Sequence, residues 1–351
     1  MTRPGPPRDP ARVSILTRTL GRPCLAEAAE SVAAQSYRPL EWIVVDAAGR
    51  GIDAPRAGDI PVRVVSLGEP LRRSRAANVA LDHATGARAL ILDDDDLLEP
   101  GAVEVLARGL DDEPGTRLAY GNVRIDTGDA ARSGTYRFEY SELLVTRRNL
   151  FPPHAALFDL SLCREDGVRF DESLDWFEDW AFWLDASAHT RFLHVREVTA
   201  VYRLWLSQSG VWQVGEEGAD PRMAEQRDRV IQRGAARRSR LEARHAELKQ
   251  HAASLAAAGR HAEAAAAWMA AHQSDHYDVE PILRYADLAA RAGDARAVRG
   301  IVESGLALLP NEPALYRMKA AFLERLGDRT EAARALDSAR RLEASGPHSP
   351  I

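Results

Sequence analysis

Short apolar segments alternate with helix-like segments through the first hundred residues of this chain. The pattern predicts strands over 13–16, 40–46, 62–67 and 89–92, and helices over 24–36 and 75–84. Strands that alternate with helices of this length are typical of a mainly parallel sheet covered by helices on both faces. The chain is therefore expected to begin with an α/β domain whose ligands bind beyond the carboxyl ends of the strands.

Four consecutive carboxylates, Asp93 to Asp96, directly follow the fourth predicted strand. Adjacent anions repel one another, and hard divalent cations such as Mg²⁺ or Mn²⁺ prefer carboxylate oxygen, commonly sharing it with substrate phosphates. Asp46 ends another predicted strand, so both acidic features are expected at one edge of the sheet. We favour a metal that holds a diphosphate; a solvated acidic loop or helix N-terminus is the alternative.

The bulk composition limits the classes of partner. With 45% hydrophobic and 28% charged residues among 351, the chain is typical of globular proteins, and its net charge of −6 argues against binding to nucleic acid. No stretch reaches the roughly 18 apolar residues of a membrane span, and the first dozen residues lack the apolar core of a secretion signal. We therefore expect a cytoplasmic protein without a transmembrane segment. Only Cys24 and Cys163 are present, which argues against a disulfide framework or a zinc site.

Three glycines, Gly259, Gly293 and Gly327, recur at intervals of 34 residues in an Ala-rich segment. This period, with glycine in the turn, is typical of tetratricopeptide helix pairs; chance recurrence is the alternative. The Arg-rich segment before it predicts one long helix, either a solvated linker or a contact for an anionic membrane surface or lipid phosphate. The predicted organisation is a disordered N-terminus at 1–11, a catalytic domain at 12–215, a basic linker helix at 216–248 and tetratricopeptide-like repeats at 249–345.

Four ordered sequence blocks between about residues 12 and 210 resemble glycosyltransferase family 2. The blocks are VSILTRTLGRP, AESVAAQSYRPLEWIVVDAAG, SRAANVALDHATGARALILDDDDLLEPGAV and FDESLDWFEDWAFWLDASAHTRFLHVREVTAVYR. The resemblance implies the nucleotide-diphosphosugar transferase fold, which is Rossmann-like and of the GT-A type. It also implies a divalent metal, Mn²⁺ or Mg²⁺, and transfer of a sugar from a nucleoside-diphosphate donor to an acceptor hydroxyl with inversion of the anomeric carbon.

The same resemblance implies which residues bind the donor. The implied nucleotide-sugar contacts are Thr19, Arg22, Asp46, Arg75, Asn78, Asp93 and Asp94. Arg75 is the implied diphosphate contact, and an exposed helix cation is the alternative for it. Asp46 matches the acid that reads the base, and a carboxylate suits the N–H groups of uracil or guanine. Within the D-x-D motif, Asp95 is the expected metal ligand and Asp93 is expected on the ribose or the metal. Asp94 occupies the variable place, and Asp96, like it, is expected only to tolerate the surroundings.

Glu178 and Asp179, in WFEDWAFW, match the family's acidic pair. Asp179 is the expected general base, because a carboxylate near a sugar hydroxyl can take its proton, and Glu178 is the reserve candidate. The surrounding aromatic rings are expected to raise the carboxylate pKa and to stack on sugars. A helix core with acids at its N-terminus is the alternative. Weaker candidates on the acceptor side are His154, Trp180 and Arg203.

The sequence thus predicts a metal-dependent, hexosyltransferase-type enzyme of surface-polysaccharide or glycoconjugate assembly. A glycan, lipid-linked or protein acceptor stays open, as do a protein partner held by the repeats and peripheral contact with the inner face of the membrane. The alternative is a non-catalytic scaffold with a degraded transferase domain. Ala47, Ala48 and Trp205 favour this alternative because they depart from the family pattern, which often has an acid, a glycine and a metal-binding histidine there. The joint presence of the acidic run and Asp179 opposes it.

Overall fold

The computed structural model describes residues 10–206 and 221–344. The chain divides into two compact units: the described residues up to 140 together with 145–234, and residues 141–144 together with those from 235 onward. The predicted disordered N-terminus falls mainly on residues 1–9, which lie outside the described residues, as do 207–220 and 345 at the ends of the other predicted domains. No helix in the described part of the chain is long and apolar enough to cross a membrane.

A single mixed sheet of nine strands forms the centre of the first unit. Its strands are β1 (Val13–Thr19), β2 (Leu40–Asp46), β3 (Val62–Ser66), β4 (Arg88–Ile91), β5 (Leu97–Leu98), β6 (Leu118–Asp126), β7 (Gly134–Tyr136), β8 (Ala156–Asp159) and β9 (Phe192–Arg203). Their spatial order is β3-β2-β1-β4-β8-β6-β9-β5, with β7 paired to β6. Strands β3, β2, β1 and β4 are parallel, whereas β8 is antiparallel to both of its neighbours. The predicted α/β class is confirmed: the first four strands in the spatial order are parallel, and a second parallel pair, β6 with β9, lies beyond β8.

The central strands of this sheet are buried under helices, whereas β3, β7 and part of β9 are exposed at several positions. β1 is buried at every position, as parallel strands covered on both faces usually are. The helices of the first unit are α1 (Leu25–Ala33), α2 (Arg73–His83), α3 (Ala102–Asp112), α5 (Ser161–Arg164), α6 (Glu178–Ala186) and α7 (Pro221–Arg233), with a 3₁₀ turn at Pro153–Ala155. The short helix α4 (Glu142–Val145) falls mostly on residues 141–144, which belong to the second unit. In α1 the buried residues are Leu25, Ala28, Ala29 and Val32, which is the i, i+3, i+4, i+7 spacing of one helix face.

The parallel register brings the ends of β1, β2 and β4 to one edge of the sheet. Thr19 pairs with Asp46 across β1 and β2, and Leu16 pairs with Ile91 across β1 and β4. The last residues of β1 therefore run beside the segment that follows β4, which is the acidic run. The expectation that both acidic features lie at one edge is confirmed.

The basic segment forms two helices, so the prediction of one long helix was wrong. Helix α7 ends at Arg233, and α8 (Ala235–Ala257) begins after Gly234. A Cβ at Gly234 would lie 3.4 Å from side-chain atoms of Leu184 and Thr146, so the chain passes close to packed residues of the first unit at this point. Val230 also packs with Leu184 in a buried cluster. These contacts hold α7 to the first unit, while α8 belongs to the second.

The second unit contains three helix pairs. They are α8 with α9 (His261–Ser274), α10 (Val279–Arg291) with α11 (Ala295–Leu308), and α12 (Pro313–Arg325) with α13 (Arg329–Ala344). Gly259, Gly293 and Gly327 lie in the turns within the pairs at φ +74°, +77° and +84°, a conformation that other residues rarely adopt. The 34-residue spacing therefore marks helix pairs rather than a chance recurrence.

Candidate active site

A cavity of about 710 Å³ opens at the carboxyl ends of β1 and β4. Residues from five segments of the first unit form most of its wall: 18–22, 71–76, 93–96, 147–153 and 176–180. Ala47, Tyr136, Tyr202 and Arg227 complete the wall. The acidic run and the pair Glu178–Asp179, which are more than 80 positions apart in sequence, thus face one space.

Arg18, at the end of β1, neutralises the first aspartate of the run. Its Nε lies 2.7 Å from Asp93 Oδ1 and its Nη2 lies 3.0 Å from Oδ2, a bidentate pair. The same Nη2 lies 2.9 Å from Glu178 Oε1. Arg18 is 8% exposed, and although burial lowers its pKa, the two carboxylates raise it above the ordinary value. One buried guanidinium therefore links the acidic run to the predicted catalytic pair.

Asp94 is the most deeply buried member of the run, at 1% exposed. It accepts hydrogen bonds from Thr19 Oγ1 and from Nε and Nη2 of Arg22. Arg22 Nη1 lies 3.1 Å from Asp95 Oδ2. The expectation that Asp94 only tolerates its surroundings was wrong, because it anchors two of the predicted donor-binding residues.

Asp96 is likewise held by specific partners, which the sequence interpretation did not anticipate. Its Oδ2 lies 3.0 Å from Nδ1 of His154, and its Oδ1 accepts the backbone N–H of Arg203 at 3.0 Å. Arg203 Nε donates to the backbone carbonyl of Asp95 at 2.6 Å. His154 is fully buried; burial lowers its pKa, but Asp96 beside it raises the pKa above the ordinary value. His154 and Arg203 thus fix the acidic run through direct contacts, and neither residue lines the cavity.

Two aspartates of the D-x-D motif differ in pKa because of these contacts. Burial raises the pKa of Asp93, but Arg18 outweighs burial and holds it at about 2. Burial raises the pKa of Asp95 to about 6, and the neighbouring charges of Asp96 and Asp93 add to this effect. Of these two aspartates, Asp95 therefore gains more from an added cation.

The donor set fits a divalent cation only in part. Within residues 10–206 and 221–344, no three His, Cys, Asp or Glu side chains converge as a metal site. Asp93 is already engaged bidentately by Arg18, and Asp94 by Arg22. Mg²⁺ and similar ions often take one or two carboxylates and complete their shell with substrate phosphates and water. Asp95 suits that mode, in which the substrate supplies the remaining ligands.

The pair Glu178–Asp179 begins helix α6. The residue before it, Phe177, has φ +61° and is the only non-glycine residue with positive φ in the described part of the chain. Such a conformation costs about 1–3 kcal/mol for a residue with a side chain, and it persists where surrounding contacts enforce it. Here it turns the chain so that α6 starts at the cavity with both acids in its first turn.

Asp179 is held by two hydrogen bonds. Its Oδ2 accepts from Asn149 Nδ2 and its Oδ1 from the backbone N–H of Trp180, both at 2.7 Å. Burial raises the pKa of Asp179 to about 6, and the charge of Glu178 adds to the rise, while the two hydrogen bonds oppose it. The predicted rise in carboxylate pKa is present, and its largest cause is burial.

Three predicted donor-binding residues lie outside the cavity wall. Asp46 accepts hydrogen bonds from the backbone N–H groups of Ala48, Gly49 and Gly51 and from Ser66 Oγ, so its carboxylate shapes its own loop. Asn78 exchanges hydrogen bonds with the backbone of Phe170. Arg75 lies 3.4 Å from Glu172 on the surface.

Several residues that were not predicted from the sequence line the cavity. Arg73 lines the cavity from the start of α2, 3.6 Å from Glu178. Asn149 and Tyr202 also line it, and neither was predicted as a site residue. The sequence did carry one signal for Arg73, the run LRRSRAAN, which offers three arginines at the start of one helix. Trp180 lines the cavity too, but it is buried and donates to the carbonyl of Val145.

Comparisons with known proteins bear on the same region. The model of Glycosyl transferase family 2 matches residues 14–164. YwdF of Bacillus subtilis (strain 168), an uncharacterized glycosyltransferase, is 26% identical over 217 residues, which are 59% of this chain and 79% of that protein. The uncharacterized protein y4gI of Sinorhizobium fredii is 28% identical over 193 residues, 53% of this chain and 21% of that protein.

A solved structure is also similar along most of the chain. The structure of S. aureus TarS 1-349 in complex with UDP-GlcNAc covers 94% of this chain and 92% of that one, at 13% identity and a TM-score of 0.47. The family match spans β1 to α5, which includes the acidic run and the first half of the sheet. Residues 14–164 of this chain are therefore similar to Glycosyl transferase family 2.

Proposed function

We propose that this protein is an inverting glycosyltransferase that moves a sugar from a nucleoside-diphosphate donor to an acceptor hydroxyl, with Asp179 as general base. The observation that carries the proposal is the state of Asp179: a carboxyl group with a pKa of about 6, fixed by two hydrogen bonds, in the same cavity as the D-x-D motif. A base whose pKa lies just below the working pH is mostly ionised and still accepts a proton readily.

The donor is assigned to the end of the cavity formed by β1, α2 and the acidic run. Thr19 and Arg22 lie there in fixed positions against Asp94, and Arg73 adds a guanidinium at the start of α2. Guanidinium groups and helix N-termini both suit diphosphate oxygens. Arg73 therefore takes the diphosphate role that the sequence suggested for Arg75.

The reaction needs one proton transfer. Asp179 takes the proton of the acceptor hydroxyl as its oxygen bonds to the anomeric carbon from the face opposite the diphosphate. The bond between the anomeric carbon and the phosphate oxygen breaks, and its electron pair leaves with the nucleoside diphosphate. Asp95 would be the ligand of a divalent cation, which would supply charge stabilisation for this leaving group. Arg22 and Arg73 add positive charge at the same end.

A panel of donors tests the activity. Release of nucleoside diphosphate from UDP-, GDP- and dTDP-sugars, with and without Mn²⁺, should identify at least one donor that is turned over. Release from none of them, in the presence of cell-envelope glycans as acceptors, would favour the non-catalytic scaffold. The proposed setting is polysaccharide or glycoconjugate assembly, which the family resemblance supports. Contact with the inner face of the membrane is proposed from the Arg-rich segment, and a bound partner is proposed from the repeats.

Replacing Asp95 with asparagine should raise the Mn²⁺ concentration needed for half-maximal release by at least about tenfold, because a ligand of the cation is lost. The control is Asp82→Asn, which removes an exposed carboxylate that pairs with Arg169 outside the cavity. Steady-state release across a Mn²⁺ titration measures the effect. Equal titration curves for the two variants would contradict the role given to Asp95.

Replacing Asn149 with alanine should move the acidic limb of the kcat/KM profile to higher pH by about one unit. The Asn149 N–H stabilises the ionised form of Asp179, so its loss raises a pKa that already stands at about 6. Activity at pH 9 should fall much less than activity at pH 6.5. The control is Asn122→Ala, which removes an amide that contacts His194 away from the cavity. An unchanged limb in the Asn149 variant would separate this residue from the base.

A further inference from the structure

Tyr202, near the end of β9, lines the cavity with a hydroxyl group that makes no internal hydrogen bond. In the part of the chain that the structure describes, no atom forms a hydrogen bond with this hydroxyl. Tyr37 and Tyr120, which lie outside the cavity wall, donate their hydroxyls to backbone carbonyl groups at 2.6 and 2.7 Å. Because polar groups that leave water normally find a partner, the Tyr202 hydroxyl is available to a molecule in the cavity.

The backbone around Tyr202 is fixed beside the acidic run. Tyr202 pairs with Ile125 of β6, and the residue before it pairs with Leu97 of β5, which follows the run directly. The next residue, Arg203, donates its backbone N–H to Asp96 Oδ1 at 3.0 Å. The strand thus holds Tyr202 in one position relative to the last aspartate of the run.

The ring of Tyr202 also packs against a buried neighbour. It lies against the imidazole of His154, with the ring centroids 5.6 Å apart and the planes at 50°. His154 is itself fully buried and lies 3.0 Å from Asp96 Oδ2. A ligand of the Tyr202 hydroxyl therefore meets a side chain that is already ordered, which lowers the entropy lost on binding.

Carboxylates on both sides act on the Tyr202 hydroxyl. Burial is the largest cause of the raised pKa of Tyr202, and the charges of Asp96 and Asp179 raise this pKa further. The phenol therefore stays neutral and keeps its proton to donate. In the proposed function the diphosphate lies at the acidic run and the acceptor at Asp179, so the sugar that is transferred lies between them. Tyr202 faces the same part of the cavity.

We propose that the Tyr202 hydroxyl binds a hydroxyl group of the transferred sugar and thereby contributes to the choice of donor. A neutral phenol can both donate to a sugar hydroxyl and accept from it, whereas the carboxylates nearby disfavour an anionic ligand. A site that bonds a substrate hydroxyl rejects an analogue that lacks it, because the protein group is then left unpaired. The inference rests on the proposed function, which places the two substrates.

The variant Tyr202→Phe tests the proposal with UDP-glucose, GDP-mannose and dTDP-glucose. The donor that the native chain turns over fastest is compared with its own nucleoside diphosphate, UDP, GDP or dTDP. The kcat/KM for this donor should fall at least about tenfold, because a hydrogen bond to the sugar is lost. The dissociation constant of the nucleoside diphosphate with Mn²⁺, measured by calorimetry, should change by less than about twofold, since this ligand has no sugar. Equal losses for both ligands would overturn the proposal.

The matched control is Tyr37→Phe, which removes a hydroxyl bonded to the Ala11 carbonyl away from the cavity. This control should keep the native kcat/KM but unfold at a lower urea concentration, because an internal hydrogen bond is lost. Tyr202→Phe should show the opposite pattern, with a native urea midpoint and a lower kcat/KM. A lower urea midpoint in Tyr202→Phe with native kcat/KM would assign its hydroxyl a structural role and overturn the proposal.

Monodeoxy analogues of the same donor, at positions 2, 3, 4 and 6 of the sugar, identify the hydroxyl that is bound. For one analogue, the loss of kcat/KM in the native chain should largely disappear in Tyr202→Phe, because the contact is already absent there. Additive losses for every analogue would overturn this inference and leave the proposed function standing, since the donor is still turned over. Absence of turnover with every donor would count against the proposed function and the inference together.

Discussion

Replacing Asp179 with asparagine should lower kcat by a factor of about 10²–10⁴, which is the usual contribution of a general base. The substitution keeps the shape of the side chain and removes only its ability to take a proton. The native hydrogen bonds can adapt. Asn149 Oδ1 is buried and has no hydrogen-bond partner among the described residues, so rotation of the Asn149 amide would turn this oxygen towards the new N–H group.

The same substitution should make the protein more stable at pH 8. The pKa of Asp179 is about 6 in the folded chain and about 4 in an unfolded one, so the folded state binds the proton more tightly. A raised carboxyl pKa destabilises the folded state above pH 6, where the group is ionised, and has no such effect below pH 4, where both states are protonated. Removing this charge should therefore add about 1–3 kcal/mol to the free energy of unfolding at pH 8, and little at pH 4.

Urea unfolding followed by tryptophan fluorescence suits this measurement, since six of the seven tryptophans precede residue 235. The control is Asp185→Asn on the same helix α6. Asp185 also has a pKa raised by burial, but it pairs with Arg233 and lies outside the cavity. Its variant should keep at least half of the native kcat. An Asp179 variant that is fully active would remove the central residue of the proposed mechanism.

Replacing Arg18 with methionine should lower the free energy of unfolding by about 3–5 kcal/mol. The substitution leaves Asp93 and Glu178 without their shared guanidinium, at side-chain exposures of 19% and 3%. A buried charge that loses its main counterion is costly, and Arg73, at 3.6 Å from Glu178, offsets only part of the loss. The loss should be visible as an earlier urea midpoint at pH 8, together with a much lower rate of donor turnover.

Two further variants identify the cause of this loss. Arg18→Met combined with Asp93→Asn and Glu178→Gln removes the unpaired charges, so most of the lost stability should return while activity stays low. Arg75→Met removes an arginine whose pair with Glu172 is about half exposed, and it should change stability by less than about 1 kcal/mol. If the triple variant is no more stable than Arg18→Met alone, lost packing rather than unpaired charge is the cause.

The first half of the fold was predictable because each of its elements is encoded locally. The four predicted strands match β1, β2, β3 and β4 to within three residues at each end, and the two helices match α1 and α2 with differences at their ends. The turns of the repeats were predictable as well, because left-handed glycines recur at a fixed period. The break at Gly234 was not, since it depends on close contact with Leu184, 50 positions earlier.

The sequence predicted the acidic residues of the site but not the residues that pair with them. The sequence places carboxylates at strand ends, yet which arginine reaches them depends on the phase of a helix and the path of a loop. Arg73 and Arg75 are separated by about 200° around α2, so only one of them can face the cavity. The contact of Asp96 with His154 joins residues 58 positions apart, and no local pattern indicates it.

At position 177 the backbone conformation favours glycine, but the chain has a phenylalanine there. Glycine would adopt φ +61° without steric cost, as it does at similar angles in the three repeat turns, but it would remove the Phe177 ring from the cavity wall. The chain thus retains phenylalanine at this position despite its conformational cost. Selection for thermostability should therefore favour glycine at position 177. Selection for sugar binding should favour phenylalanine there, so the two selections should yield different residues at this position.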